Sequence, residues 1–186
     1  GNTIIMEACE YYNSFLSFHP TVATILNVEA DHLDYFKDLA DVQKSFRAFA
    51  QLSTNGILAN GDDENTMECL KGLDCITFGL GEHNRIRAVN ISEDWSEFDV
   101  LCDGEFYAHL KLSVFGRHNT LNALAAAAAM DACGIATNTL AMQTSSASAV
   151  ARAVMRSTHS TLAGLLPVPI WLGRMACFFL MKIRAR

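Results

Sequence analysis

Apolar positions over the first 135 residues follow two rhythms that alternate along the chain. Thr3-Ile4-Ile5-Met6 is a short β-rich run ending on Glu7, and Val22-Ala23-Thr24-Ile25-Leu26-Asn27-Val28 is a second, ending on Glu29-Ala30-Asp31-His32. Near-continuous apolar runs bounded by polar residues predict strands covered on both faces, as in a parallel sheet. Tyr11 to Phe18, between them, is long enough for a short crossover. From Phe36 the rhythm becomes helical: Phe36, Leu39, Val42, Phe46, Phe49 and Leu52 recur every three or four residues, which predicts an amphipathic helix. A third strand follows over 56–60, then the turn Gly61-Asp62-Asp63, a helix from Glu64 to Leu70 and a fourth strand over 75–79. Beyond Gly81 the runs 86–91, 98–102 and 106–114 predict shorter strands joined by turns, with Asp103-Gly104 as a hairpin signal. From Gly116 the chain turns Ala-rich through Met130, with Gly134 as a stop, and predicts a helix. The expected fold is α/β: a mostly parallel sheet with flanking helices plus a small antiparallel extension.

Charge divides the chain. All 20 acidic residues lie before residue 132, while residues 132–186 carry six cations, Arg152, Arg156, Arg174, Lys182, Arg184 and Arg186. We therefore treat residues 1–135 as one unit and 136–186 as an atypical basic, acid-free tail, expected to be read in a shifted frame or mis-joined and to dock poorly. Its apolar stretch 162–183 is broken by Pro167, Pro169, Gly173 and Arg174, which argues against a membrane span. The overall net charge of −6 argues against a nucleic-acid partner. Six cysteines without a CxxC pair are expected to be reduced, mostly buried thiols of a cytoplasmic protein. The first residues do not have the pattern of a secretory signal.

Two places carry candidate chemistry. Glu7 and the cluster Glu29, Asp31, His32 and Asp34 follow the first two predicted strands, and ligands of open α/β sheets sit outside the carboxyl ends of strands. Adjacent strands would bring Glu7 and His32 onto one rim, where a carboxylate and an imidazole suit a divalent cation: Mg²⁺ completed by water and phosphate, or Mn²⁺ or Zn²⁺. Also open on spacing alone are an Asp31 helix cap, a satisfied rim histidine at His32 and a Glu7 paired with a cation. In Gly116-Arg117-His118-Asn119-Thr120-Leu121-Asn122, His118, Asn119 and Asn122 would share the first turn of the Ala-rich helix. Amides there offer the donor and acceptor pattern that an adenine edge requires, and the helix start favours anions. Capping by Asn119 is the competing reading. There is no Gly-Lys dipeptide, hence no GxxxxGK[ST] phosphate loop in this chain.

Glu7-Ala8-Cys9-Glu10-Tyr11, Ser14-Phe15-Leu16 with Pro20, Asn27-Val28-Glu29-Ala30-Asp31-His32-Leu33-Asp34-Tyr35 and Gly116-Arg117-His118-Asn119-Thr120-Leu121-Asn122-Ala123 resemble the Mur ligases, in this order over about 120 residues. Their wording is most similar to the branch that joins L-alanine to UDP-N-acetylmuramate in peptidoglycan synthesis. By this resemblance the chain is a fragment of the central ATP-binding domain. Glu7 and His32 would hold Mg²⁺ near the γ-phosphate, neither acting as a general base, and His118, Asn119 and Asn122 would line the base site of ATP. The substrate carboxylate would be phosphorylated and the acyl phosphate attacked by the amino group of L-alanine. Sibling ligases carry a modified lysine after the DH motif; Arg47 falls near that position and cannot form a carbamate, which agrees with an alanine-adding type.

The family's phosphate loop lies upstream of Glu7, so the chain is expected to begin inside the central domain and to be inactive alone. Its resemblance ends near Ile135. Alternatives are a sibling ligase that recycles peptides or adds another amino acid, a metal-dependent hydrolase built on Asp31, His32 and Asp34, and a non-catalytic α/β interaction module with a lipid-binding tail.

Overall fold

The structure, a computed structural model, describes residues 3–132 and 177–182. Twelve elements follow in chain order. β1 (Thr3–Ala8) leads through a 3₁₀ segment (Tyr11–Ser17) to β2 (Val22–Ile25), then α1 (Leu39–Gln51), β3 (Gly56–Asn60), α2 (Glu64–Cys69) and β4 (Ile76–Gly79). β5 (Ile86–Val89), β6 (Glu97–Cys102) and β7 (Glu105–Lys111) precede α3 (Arg117–Ala132), and β8 (Cys177–Lys182) completes one sheet ordered β1-β8-β2-β3-β4-β5-β6-β7.

β2 to β5 are parallel, and β5-β6-β7 form the expected antiparallel extension. The β6–β7 connection is the two-residue Asp103-Gly104 turn, with φ of 52° and 84°. That left-handed pair matches the twist of the flanking strands.

Neither face of the sheet is bare. Residues of β2 and β3 alternate between two cores, as a side-chain period of two requires. Val22, Leu26 and Leu58 join Phe78, Ile86, Phe98, Leu110 and the buried α3 stretch Ala123–Met130. Ala23, Ile25 and Ala59 join Phe15, Val42, Phe46, Phe49 and Leu70 on the opposite face. Phe15 stacks on Phe49 at 4.6 Å between centroids and meets the edge of Phe46 at 5.3 Å, fixing the 3₁₀ segment against α1. Each such fully buried phenyl contributes about 1.5–3 kcal/mol.

Two expectations need correction. α1 starts at Leu39, not Phe36: the Asp38 side chain accepts from the Asp41 amide and caps the helix, while Tyr35 and Phe36 donate to the His32 carbonyl in a separate turn. Phe36 is buried all the same, so burial rather than helicity explains its place in the periodicity. Secondly, β1 and β2 are not adjacent. β8 runs antiparallel to both, with Ala8 and Ile25 each opposite Cys177. β1 and β2 therefore run in the same direction about 10 Å apart, two spacings of ~4.8 Å. Of the acid-free tail, Cys177–Lys182 is this central strand; the rest of 136–186, with its prolines, lies outside the described residues, as does the Gly134 stop that precedes the tail.

Among the described residues Cys9, Cys69, Cys75 and Cys102 are free thiols. Cys69 alone of these is buried, and burial pushes its thiol up to about 11. No helix among the described residues is long and apolar enough to cross a membrane.

β1 bonds to the sheet through β8, and a central strand cannot lose ladder hydrogen bonds without loosening its neighbours. Phe179→Pro is therefore expected to abolish hydrogen-exchange protection of the Ile4–Glu7 amides while β3 to β7 keep theirs. Unchanged β1 protection would contradict the strand order.

Candidate functional site

The carboxyl ends of β1, β2, β3 and β4 share one edge of the sheet, the place where open α/β sheets gather ligands. Glu7 is exposed near the end of β1, level with Thr24 of β2 across β8. His32 lies in the loop after β2. The carboxylate nearest its ring is Glu10 rather than Glu7: His32 Nε2 stands 3.5 Å from Glu10 Oε1, with side-chain exposures of 35% and 15%. Glu10 opens the 3₁₀ segment after β1, so the two strands do deliver an acid and an imidazole to one rim, with the acid displaced by three residues.

His32 is held on several sides. Its backbone is left-handed, φ 54°, and its amide donates to Asp31 Oδ1 at 2.7 Å. The Tyr11 ring stacks on the imidazole at 4.5 Å, 26° from parallel, and the Tyr11 hydroxyl donates to Asp34 Oδ2 at 2.6 Å. This bond raises the Tyr11 phenol far above its usual range and holds the Asp34 carboxyl below its own. Asp31 and Asp34 thus serve the loop and do not converge with His32 on a metal cluster; no group of three or more metal-ligating side chains forms among the described residues.

Tyr12 and Asn13 are also left-handed, at φ 54° and 56°. Asn13 donates to the Tyr35 hydroxyl at 3.0 Å and accepts from Ser45 of α1. Non-glycine residues in this region cost about 1–3 kcal/mol each and persist where surroundings over-determine them.

Polar side chains at the end of β3 and the start of α2 fix the segment leading to His32. Asn60, buried at the end of β3, donates to the Leu26 carbonyl at 3.0 Å. Asp63 caps α2 by accepting from the Thr66 amide and hydroxyl and also from the Val28 amide, and Asn65 donates to the Val28 carbonyl. Beside them Asp62 accepts from the Leu80 and Gly81 amides and from Asn84. Desolvation pushes the Asp62 carboxyl up, but these donors outweigh it and hold it below the usual range. A Cβ at Gly61 would fall on Asn84 Oδ1, so any larger residue there must displace the Asn84 side chain that completes this knot.

α3 begins at the same edge. Gly116, φ 103°, offers its carbonyl to the Asn119 and Thr120 amides, and the Thr120 hydroxyl donates to the Trp95 carbonyl in the loop that leaves β5. His118 and Asn119 lie in the first turn, but Asn122 lies in the second. His118 is exposed and Asn122 half-buried, while Asn119 donates to the Phe115 carbonyl at 2.7 Å, tying the helix to its entry loop. Arg47 donates through Nη1 to the Cys69 and Lys71 carbonyls at 2.8 and 3.0 Å, capping the end of α2.

The roles of Glu10, Tyr11, Asn13 and Asp62 were not evident from sequence. Glu10 and Tyr11 stand inside the Glu7-Ala8-Cys9-Glu10-Tyr11 motif, which was the available signal for those two.

Residues 1–130 match the family model described as the Mur ligase middle domain. The chain belongs to the Mur ligase family. It is 44% identical over 140 residues to the UDP-N-acetylmuramate--L-alanine ligase of Caldanaerobacter subterraneus subsp. tengcongensis, a match covering 72% of this chain and 30% of that protein. Among solved structures, UDP-N-acetylmuramate:L-alanyl-gamma-D-glutamyl-meso-diaminopimelate ligase from Neisseria meningitides has a TM-score of 0.56 and 32% identity, covering 66% of this chain and 38% of its own. UDP-N-acetylmuramate-alanine ligase MurC from Thermotoga maritima has a TM-score of 0.55 and 29% identity, over 66% of this chain and 28% of its own. These Mur ligase neighbours share the mixed α/β architecture. The chain spans under a third of the length of the first curated relative.

Removing the Asp63 cap with Asp63→Ala is expected to cost about 1–2 kcal/mol in urea unfolding. Asp62 sets a pH dependence of known sign. Its folded-state pKa is depressed, so its contribution is complete above about pH 4, the ordinary carboxylate value, and is lost as pH falls through the lower folded value. Unfolding midpoints of the wild type should drop more steeply than those of Asp62→Asn across that window.

Proposed function

We propose that residues 1–135 are the metal- and nucleotide-facing part of the central domain of a ligase that joins L-alanine to UDP-N-acetylmuramate in peptidoglycan synthesis, using ATP and an acyl-phosphate intermediate. The observation that carries this reading is the shared sheet edge. Glu7, Glu10 and His32 stand at one end of it, and α3 opens beside the end of β5, three strand spacings or about 14 Å from β2. An elongated ligand with a charged end and a planar end fits that separation.

The donors at the first end fit a divalent cation: the Glu10 carboxylate and the His32 imidazole nitrogen, 3.5 Å apart and partly exposed, leave positions for water and phosphate oxygens. Mg²⁺ there would neutralise charge on the transferring phosphoryl group. His32 and Glu10 bind and orient; neither removes a proton from a substrate. At the second end His118 and Asn122 face the base while Asn119 secures the turn that carries them.

The 44% identity over 140 residues favours L-alanine as the amino acid, whereas the two solved structures, at 32% and 29%, do not separate this branch from peptide-adding siblings. We place the protein in the cytoplasm, where its free thiols stay reduced. The tail from 136 is a separate segment in sequence that contributes β8 to the same sheet.

Mn²⁺ titration of this chain followed by NMR tests the reading. Paramagnetic broadening should centre on Glu7, Glu10 and His32, and adenosine nucleotide should shift the Asn119 and Asn122 side-chain amides. His32→Ala should weaken Mn²⁺ by at least about tenfold. Broadening centred elsewhere, or equal affinity in His32→Ala, would overturn it.

A further inference from the structure

Tyr11 belongs to neither core. It is half-buried at the rim, yet its side chain has two specific partners on the loop after β2: the His32 ring, stacked at 4.5 Å and 26°, and Asp34, bonded at 2.6 Å. Both reach across the space between β1 and β2, joining segments that follow strands with no direct hydrogen bonds to each other. The adjoining residues repeat the crossing: Tyr12 packs on Tyr35 at 4.8 Å between centroids, and Asn13 donates to the Tyr35 hydroxyl. An imidazole on a partly exposed loop otherwise turns freely about its last torsion, which is broad and weakly restrained. Ring stacking removes that freedom, and the phenol-to-Asp34 bond fixes where the stacking ring stands.

We infer that Tyr11 is a positioning residue for His32: it sets the plane of the imidazole, and so the direction in which the ring meets the cation site bordered by Glu10. This rests on the metal-binding reading of His32 given above. A ligand whose orientation is fixed by neighbours loses roughly 10–100-fold in metal affinity when those neighbours are removed. The two halves of the Tyr11 contact are separable by substitution. Tyr11→Phe keeps the ring and loses the bond to Asp34; Tyr11→Leu loses both.

Two readouts on the full chain test this. The first is the chemical shift of the His32 ring protons, which a stacked tyrosine moves upfield. That displacement should persist in the wild type and Tyr11→Phe and vanish in Tyr11→Leu. The second is Mn²⁺ affinity, expected to fall at least about tenfold in Tyr11→Leu and much less in Tyr11→Phe. Unchanged protection of the core amides in α1 and β3 establishes that each variant is folded. Ring-proton shifts indifferent to Tyr11→Leu overturn the inference. So does Mn²⁺ affinity that Tyr11→Leu leaves intact while His32→Ala abolishes it, a result that leaves the metal reading standing. Absence of Mn²⁺ binding by the wild type overturns the metal reading, and with it any role for Tyr11 beyond holding the ring, which the shifts still decide.

Discussion

The candidate site depends on two strands that point the same way without touching. β1 and β2 each pair with β8, so a single strand of opposite direction sets both their spacing and their register. Ala8 and Ile25 come level because each faces Cys177. Without that shared partner, the peptide leaving β1 and the loop leaving β2 would have no common frame. Contacts at the rim then close the same gap a second time, through Tyr11 with His32 and Asn13 with Tyr35.

Rigidity reaches the rim from two directions. On one face, Phe15 is locked between Phe46 and Phe49, which holds the 3₁₀ segment and therefore Glu10 and Tyr11. Toward β3, Asn60, Asp63 and Asn65 satisfy the backbone of Leu26 and Val28 before the chain reaches His32. Three left-handed non-glycine residues sit within this frame, at Tyr12, Asn13 and His32. Such conformations survive only where many contacts agree, and here they cluster beside the donors that the family resemblance singles out.

Much of this was legible in the chain's local patterns. β2, β3, β4, the Asp103-Gly104 hairpin and α3 follow from runs, periods and turn residues, because those signals are local. β8 was not, since a strand's partner is chosen by long-range register and Cys177–Lys182 lies in a stretch broken by prolines upstream. At the rim, the sequence placed Glu7 and His32 near one edge. It could not reveal that Glu10, three residues on, is the acid beside the imidazole, since the two meet only through the folded path of the segments that follow β1 and β2. Arg47 is a similar case: counting along a motif reports position, whereas its guanidinium is committed to the end of α2.

α3 has one further consequence. Eight successive residues, Ala123 to Met130, are buried, and six of them are alanine. A rod that smooth could seat at many depths against the sheet. Leu124 and Met130 are its only large teeth in that stretch, and Thr120 pins its upper end to Trp95. Slippage by one residue would advance the rod about 1.5 Å and rotate it about 100°, turning Asn122 off the rim altogether. The direction of the Asn122 amide is thus gauged by Leu124 and Met130 farther down the helix, and repacking at either would redirect it without altering a single polar group.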